Sequence, residues 1–330
     1  MKEIVLSGIR PTGNLHLGNY YGAVTSFVKL QDLYRCFFFI ADWHSLTTHP
    51  TPENIQNSVR TILAEYLACG LDPEKATIYV QSDVPEVVEL YLYLNMNAYL
   101  GELERVTSFK EKARTQPDNV NAGLLTYPTL MAADVLAHKA DKVPVGKDQE
   151  QNMEMMRLFA RRFNRIYNVE FFKEPQSYHF SDKAVKVPGL DGSGKMGKSE
   201  GNAIYLCDDE KTISKKVMRA VTDSGPTMLN QEKPEPIQNL FTMMEIVSGR
   251  ETYDYFNDQY NQMTIRYGDM KKQLAADINA FCAPIREKIL AYQSDEDYLL
   301  RVAKEGAERA SESARKTLSE VREIIGFRKL

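Results

Sequence analysis

Cysteine is scarce in this chain and unclustered. Cys36, Cys69, Cys207 and Cys282 are its four cysteines; they lie far apart, and none forms a C-x-x-C pair. Zinc and iron–sulfur clips need tighter spacing, and the disulfide frameworks of small secreted domains need more density. The thiols read as reduced and mostly buried, in a cytosolic protein. Long hydrophobic runs are absent too. The longest, Cys36 to Ala41, is far short of the roughly 20 residues a bilayer span requires, so no membrane association is expected. Met1-Lys2-Glu3 runs directly into a strand-like segment, with no signal-peptide pattern between. There is no internal repeat and no low-complexity tail. A strong charge of one sign is also lacking. The net charge is −4, so a nucleic-acid partner would have to meet a local basic patch on a mildly acidic body.

What is present is the make-up of a globular protein: 330 residues, 43% hydrophobic and 26% charged. That length suffices for about two domains with full cores. Strand-like runs at Glu3–Ser7, Cys36–Ala41, Thr77–Gln81 and Lys142–Val145 alternate with helical periodicity near Gly18–Tyr34, Pro52–Cys69, Pro85–Tyr99, Thr129–Lys139 and Gln149–Tyr167. The alternation predicts an α/β fold, a parallel sheet with helices on both faces. Residues 173–200 carry Pro and Gly without a helical period, and from Asp208 onward the chain reads as helical almost throughout. The last segment, Asp295–Ile325, aligns Leu299, Val302, Ala303, Ala307, Ala310, Ala314, Leu318, Val321 and Ile325 on one stripe. Such an amphipathic helix packs on something.

Ligands of parallel sheets bind beyond the carboxyl ends of the strands. Four unusual segments fall there: Gly8–Asn19, Asp42-Trp43-His44, Gln81-Ser82-Asp83 and Gly146-Lys147-Asp148-Gln149. In the first, SGIRPTGNLHLGNYY (Ser7–Tyr21), glycine recurs every five residues. A helix opening near Gly18 would aim free N–H groups at the loop, with His16 and Asn19 beside them. Strand, glycine loop and helix start suit a polyphosphate, although the spacing matches neither the dinucleotide nor the P-loop pattern. Gly192–Ser199, GSGKMGKS, does match the P-loop pattern literally. Its flanks, Val187-Pro188-Gly189-Leu190-Asp191 and Glu200-Gly201-Asn202, make a poor strand and a poor helix start, which speaks against that reading. The alternatives are a solvated basic turn or a mobile loop whose two lysines reach one polyphosphate, closing on its flanking glycines.

Together the two elements resemble a class I aminoacyl-tRNA synthetase. His16-Leu17-Gly18-Asn19 is similar to that class's HIGH motif, and Lys195–Ser199 to its KMSKS loop with Gly197 in third place. SGIRPTGNLHLGNY, ELERVTSFKEK, GLLTYPTLMAADVL, VPVGKDQ and AVTDS resemble bacterial tryptophanyl-tRNA synthetases. The resemblance implies a Rossmann-like catalytic domain over 1–205 that ends in the KMSKS-like loop. A helical, anticodon-binding domain would follow over 206–330, its last helix returning to the catalytic domain. ATP would be held by Arg10, Thr12, Gly18, Asn19, Gly146, Lys147, Asp148, Val187, Lys195, Met196, Gly197, Lys198 and Ser199. Of these Thr12, Asn19, Lys195 and Lys198, with His16, would serve catalysis. Asp134 would accept the indole N–H of L-tryptophan. Leu6, Gly8, His44, Tyr127, Met131, Val143, Val145 and Gln149 would line the same pocket, Leu6 standing where relatives often carry an aromatic.

Asp134 sits in an apolar helical run, Met131–Leu136, where a buried carboxylate needs a donor. His44 reads equally as a packed histidine or as a ligand contact. The implied reaction forms tryptophanyl-adenylate from tryptophan and ATP, then acylates tRNA(Trp), releasing AMP and pyrophosphate. Mg2+ is expected on the phosphates, held by substrate oxygens and water, so no protein metal ligand is nominated. The resemblance also implies a homodimer; Pro85–Lys112, rich in Tyr, Leu and Met, reads equally as its interface or as plain core. Candidate tRNA phosphate contacts are Lys211, Lys215, Lys216 and Arg219, and the cluster Arg105, Lys110, Lys112 and Arg114. The competing readings are a tyrosyl-tRNA synthetase and a non-catalytic, synthetase-like tRNA-binding protein.

Overall fold

The computed structural model describes residues 2–146, 149–179, 186–198 and 200–327. Its sheet runs β3-β2-β1-β4-β5, with every pairing parallel: β1 Ile4–Ile9, β2 Arg35–Ile40, β3 Ala76–Val80, β4 Lys142–Pro144 and β5 Gln176–Tyr178. Along the sheet-forming half run helices α1 Leu17–Asn19, α2 Thr25–Leu33, α3 Asp42–Ser45, α4 Pro52–Ala68, α5 Glu86–Met96, α6 Leu100–Leu103, α7 Thr107–Thr115, α8 Ala122–Ala137 and α9 Glu150–Tyr167. The remainder carries α10 Glu210–Met218, α11 Glu235–Val247, α12 Arg250–Asn261, α13 Tyr267–Ser294 and α14 Glu296–Ile325.

Strand alternation sorts the core onto two faces. Val5, Phe38, Ile40 and Ile78 join one buried cluster with α2, α4 and α13. Leu6, Phe37, Phe39 and Tyr79 join the other, with α5, α8 and α9. Side chains of a strand point alternately to opposite faces, so two consecutive apolar residues supply two cores. Helix α14 serves both. Leu299 and Val302 pack in the first cluster, and Ala307, Ala310, Ala314, Leu318 and Val321 in the second. Between them Gly306 lies on edge strand β3, where an added Cβ would stand 1.7 Å from the Ile78 carbonyl oxygen. Only a residue without a side chain lets the helix backbone cover that edge.

Three expectations need correction. The helix expected over Gly18–Tyr34 is helical throughout residues 17–33 but not uniform: a wide π-helical turn, Tyr20–Val24, lies between α1 and α2. That turn sets consecutive Tyr20 and Tyr21 against Phe281, with ring centroids 5.3 and 5.4 Å away. Helix α8 starts at Ala122 rather than Thr129, with Asn121 capping Leu124 N–H at 3.0 Å and Pro128 inside. A proline removes one helical hydrogen bond, but burial of this apolar helix carries it through. The fifth strand, β5, was not expected, because Gln176-Ser177-Tyr178 is polar and has no apolar alternation.

Candidate active site

Strand order reverses direction between β1 and β4, and in open α/β sheets ligands lie at that switch point. A cleft of about 990 Å³ opens there. Leu6, Gly8, Arg10, Asn19, His44 and Tyr127 line it, as do Met131, Asp134, Val143, Val145, Gly146 and Gln149. All twelve are candidate site residues. Lys147, Asp148 and Ser199 fall outside the described residues.

Inside the cleft Asp134 is 2% exposed. Its Oδ2 is 2.8 Å from His44 Nε2, and its Oδ1 accepts from Gln81 Nε2 at 2.8 Å. Helix α8 places the carboxylate, α3 the histidine, and the turn after β3 the glutamine. A carboxylate oxygen has two acceptor sites, so each retains capacity for one more donor. The imidazole lies edge-on to Tyr127, at 4.6 Å between ring centroids. Burial holds the Tyr127 hydroxyl above its ordinary pKa. The arrangement is a buried carboxylate, held by two side chains, in the wall of a cleft that Leu6, Tyr127 and Met131 also line.

The other end of the site is made by two chain segments held together. Leu17 N–H donates to Ile204 O at 3.0 Å, and Leu206 N–H to Leu15 O at 2.9 Å. Lys198 Nζ donates to Gly13 O at 2.7 Å. Glu65, fully buried on α4, accepts from Leu15 N–H at 2.7 Å. Burial pushes its carboxyl up to about 8, against the pull of Leu15 N–H and Lys198. His16 is buried, and desolvation, then Lys198 and Lys195, push its pKa down to about 4. The ring is neutral at pH 7. Its Nδ1 accepts from Asn19 N–H at 3.2 Å, so the proton sits on Nε2.

This geometry corrects one expectation. The helix start does not present a row of free N–H groups: those of Leu17, Asn19 and Tyr20 are taken by Ile204 O and by His16. Thr12 is exposed, Gly18 is half-buried, and Val187 and Met196 are buried and joined by a 3.0 Å backbone bond. Lys195 is exposed; Gly197 and Lys198 are half-buried. None of these lines the cleft.

Several residues acquire site positions that sequence reasoning did not assign. Lys112, read above as a tRNA contact, lines the cleft with Ser108. Its Nζ lies 5.3 Å from the centre of the Tyr127 ring, and burial, then Arg10, lower its pKa. Gln81 belonged to a flagged segment but had no role. Glu65 had a readable signal, a lone carboxylate within the apolar sequence Ile62–Leu67.

The family described as tRNA synthetases class I (W and Y) matches residues 2–283. The tryptophan–tRNA ligase of Porphyromonas gingivalis is 75% identical over 99% of this chain and 100% of its own length. That of Clostridium tetani is 40% identical, over 99% of this chain and 96% of its own. Among solved structures, the Campylobacter jejuni tryptophanyl-tRNA synthetase complexed with ADP and tryptophan superposes with a TM-score of 0.89 at 34% identity, covering 98% of this chain and 100% of that one. A buried acceptor in a switch-point cleft, two motif segments bonded to each other, and full-length identity of this order lead to one assignment: the chain belongs to the class I tRNA synthetases of the tryptophan and tyrosine group, and within it to the tryptophan–tRNA ligases.

Proposed function

We infer that this chain attaches L-tryptophan to tRNA(Trp) in an ATP-dependent reaction. A tryptophan carboxylate oxygen attacks the α-phosphorus of ATP. The α–β bridging bond breaks, giving tryptophanyl-adenylate and pyrophosphate. A ribose hydroxyl of the tRNA's terminal adenosine then takes the acyl group and AMP leaves. The observation that carries the amino-acid assignment is Asp134, buried in the cleft with both oxygens held by fixed donors. An indole N–H satisfies such an acceptor. Phenylalanine has no donor for it, and a substrate that leaves a buried acceptor unpaired is strongly rejected.

The nucleotide lies, in this reading, across the β1–β4 switch. Gly146, Lys147, Asp148 and Val187 take the adenosine. Arg10, Thr12, Gly18 and Asn19 take the triphosphate from below, and residues 195–199 cover it. In-line displacement needs positioning and charge stabilisation rather than a covalent nucleophile. Lys195 and Lys198 stabilise the departing pyrophosphate, with Lys198 exchanging Gly13 O for a phosphate oxygen. Neutral His16 offers an Nε2–H donor and adds no charge. Mg2+ arrives on the triphosphate as part of the substrate. The groups around it, Arg10, Lys112, Lys195 and Lys198, are cationic and leave it to phosphate and water oxygens.

Residues 1–205 act as the catalytic domain and 206–330 as the anticodon-binding part, in the cytoplasm. Lys211 and Lys215 of α10, and Arg219 at its C-cap, remain the phosphate contacts we favour there. Lys216 is occupied, bound to Asp208 at 2.5 Å and lying over the Tyr205 ring. The homodimer is supported by Val88, Leu92, Met96, Tyr99 and Leu100, large apolar side chains exposed on neighbouring α5 and α6. No helix among the described residues is long and apolar enough to cross a membrane. Aminoacylation of purified tRNA(Trp) with labelled tryptophan tests the whole reading. ATP-dependent charging that releases AMP and pyrophosphate is expected; tRNA binding without charging would overturn it.

A further inference from the structure

Asn202 lies just beyond the second motif and has no role in the reaction as described above. It is 4% exposed, a polar side chain almost wholly out of water. Its Nδ2 donates to Asp191 Oδ1 at 2.9 Å, to Ser193 Oγ at 2.9 Å and to Lys195 O at 3.2 Å. Its Oδ1 accepts from Gly197 N–H at 2.9 Å. One amide thus uses both donors and its acceptor on the loop it follows. The bonds to Lys195 O and Gly197 N–H straddle Met196, which is itself anchored through its N–H to Val187 O at 3.0 Å. Space for the amide is made by Gly189, where an added Cβ would stand 2.2 Å from Asn202 Nδ2.

Both arms of this clamp are attached to larger bodies. The outer arm leans on α11, where Asn239 Nδ2 donates to Ser193 O at 3.0 Å. The inner arm continues into Ile204 and Leu206, which bond to Leu17 and Leu15 of the first motif. Asp191 is fixed as well: Ser193 Oγ–H and Asn202 hold its carboxyl below the usual range. Local side-chain bonds of this kind select one loop conformation over its competitors.

We propose that Asn202 is a positioning residue of the adenylation step: it sets the backbone on both sides of Met196 and thereby the direction in which Lys195 leaves the loop. The inference rests on the reading of residues 195–199 as the cover of the ATP phosphates. Asn202 touches no reacting atom in this account and acts through Lys195.

The test is a double-mutant cycle in tryptophan-dependent ATP–pyrophosphate exchange, with rates normalised by active-site titration. Asn202→Ala alone lowers kcat by about 10- to 100-fold, the cost of a misplaced charged group, while the KM for tryptophan stays within about twofold. In a Lys195→Ala background the same substitution costs less than about threefold, because the group it positions is gone. Losses that multiply instead, or wild-type kcat in Asn202→Ala beside a large loss in Lys195→Ala, would overturn the role of Asn202 alone. No loss in Lys195→Ala would overturn the phosphate-cover reading and this inference with it. If Asn202→Ala does not fold, the isosteric Asn202→Asp keeps the acceptor for Gly197 N–H, loses the donors and enters the same cycle.

Discussion

The two ends of the cleft are built differently. Regular elements build the end proposed to take tryptophan: β1, α3, the turn after β3, and α8 bring Leu6, His44, Gln81 and Asp134 together, all but a few per cent buried. Loops build the end proposed to take the phosphates, closed by hydrogen bonds from loop to loop, with Lys195 in water and Lys198 resting on a backbone carbonyl. Recognition of a small planar N–H donor profits from walls that do not move. A charge-stabilising roof must admit a triphosphate and release pyrophosphate, so it is assembled from segments that can exchange one oxygen partner for another. Selectivity is therefore expected to reside in the sheet and helices, and rate in the loops.

The following predictions probe that division, the largest effect first. Lys195→Ala lowers exchange kcat by about 100- to 1000-fold, the usual cost of one charge-stabilising group, and leaves the KM for tryptophan within about twofold. A parallel rise in that KM would show that the two ends are not separable. Gln81→Leu removes the donor to Asp134 Oδ1 and lowers kcat/KM for tryptophan by about 10- to 100-fold, as expected for a hydrogen bond to a charged group. Its KM for ATP, read in the same assay, is unchanged. Gly306→Ala forces α14 away from β3 and costs about 1–3 kcal/mol of stability in urea unfolding. Once corrected for folded protein, both KM values stay put, because the clash lies on the sheet edge.

A further prediction concerns pH. Glu65 holds its proton up to about 8 when folded, against 4.5 for an ordinary glutamate. Its contribution to stability is full below about 4.5 and is lost as pH rises through about 8. Glu65→Gln keeps an acceptor for Leu15 N–H and abolishes that slope. Equal slopes from pH 6 to 9 in wild type and variant, measured by urea unfolding, would show that Glu65 is already ionised below that range.

Much of the fold and part of the site are legible in the residues. The strand–helix alternation yields the parallel sheet because each buried strand is a short continuous apolar run between helical periods. The stripe of Asp295–Ile325 is readable over its whole length, as the buried Leu299, Val302, Ala307, Ala310, Ala314, Leu318 and Val321 show. Gly306 hides its purpose, since nothing local reveals that an edge strand lies against it. Asp134 stands out as a carboxylate in an apolar helix, yet its donors come from two other elements, and only the fold supplies that pairing. His44 shows the same limit. Its sequence neighbours leave it open between packing and ligand contact, and the structure gives it a partner 90 positions away. Lys112 ends the stretch ELERVTSFKEK, where its charge reads as a tRNA contact, and Asn202 lies just past the second motif; the fold brings the first to the cleft and the second onto the loop.

A buried acceptor at Asp134 is proposed to choose the amino acid. Its most direct test is the ratio of kcat/KM for tryptophan to that for tyrosine in ATP–pyrophosphate exchange, measured on wild type and Asp134→Ala. Wild type is predicted to favour tryptophan by about 10⁴ or more. In the variant the ratio should collapse to within about tenfold of parity, with the KM for ATP unchanged. A variant that keeps the wild-type ratio would place the selection elsewhere in the cleft and contradict the claim.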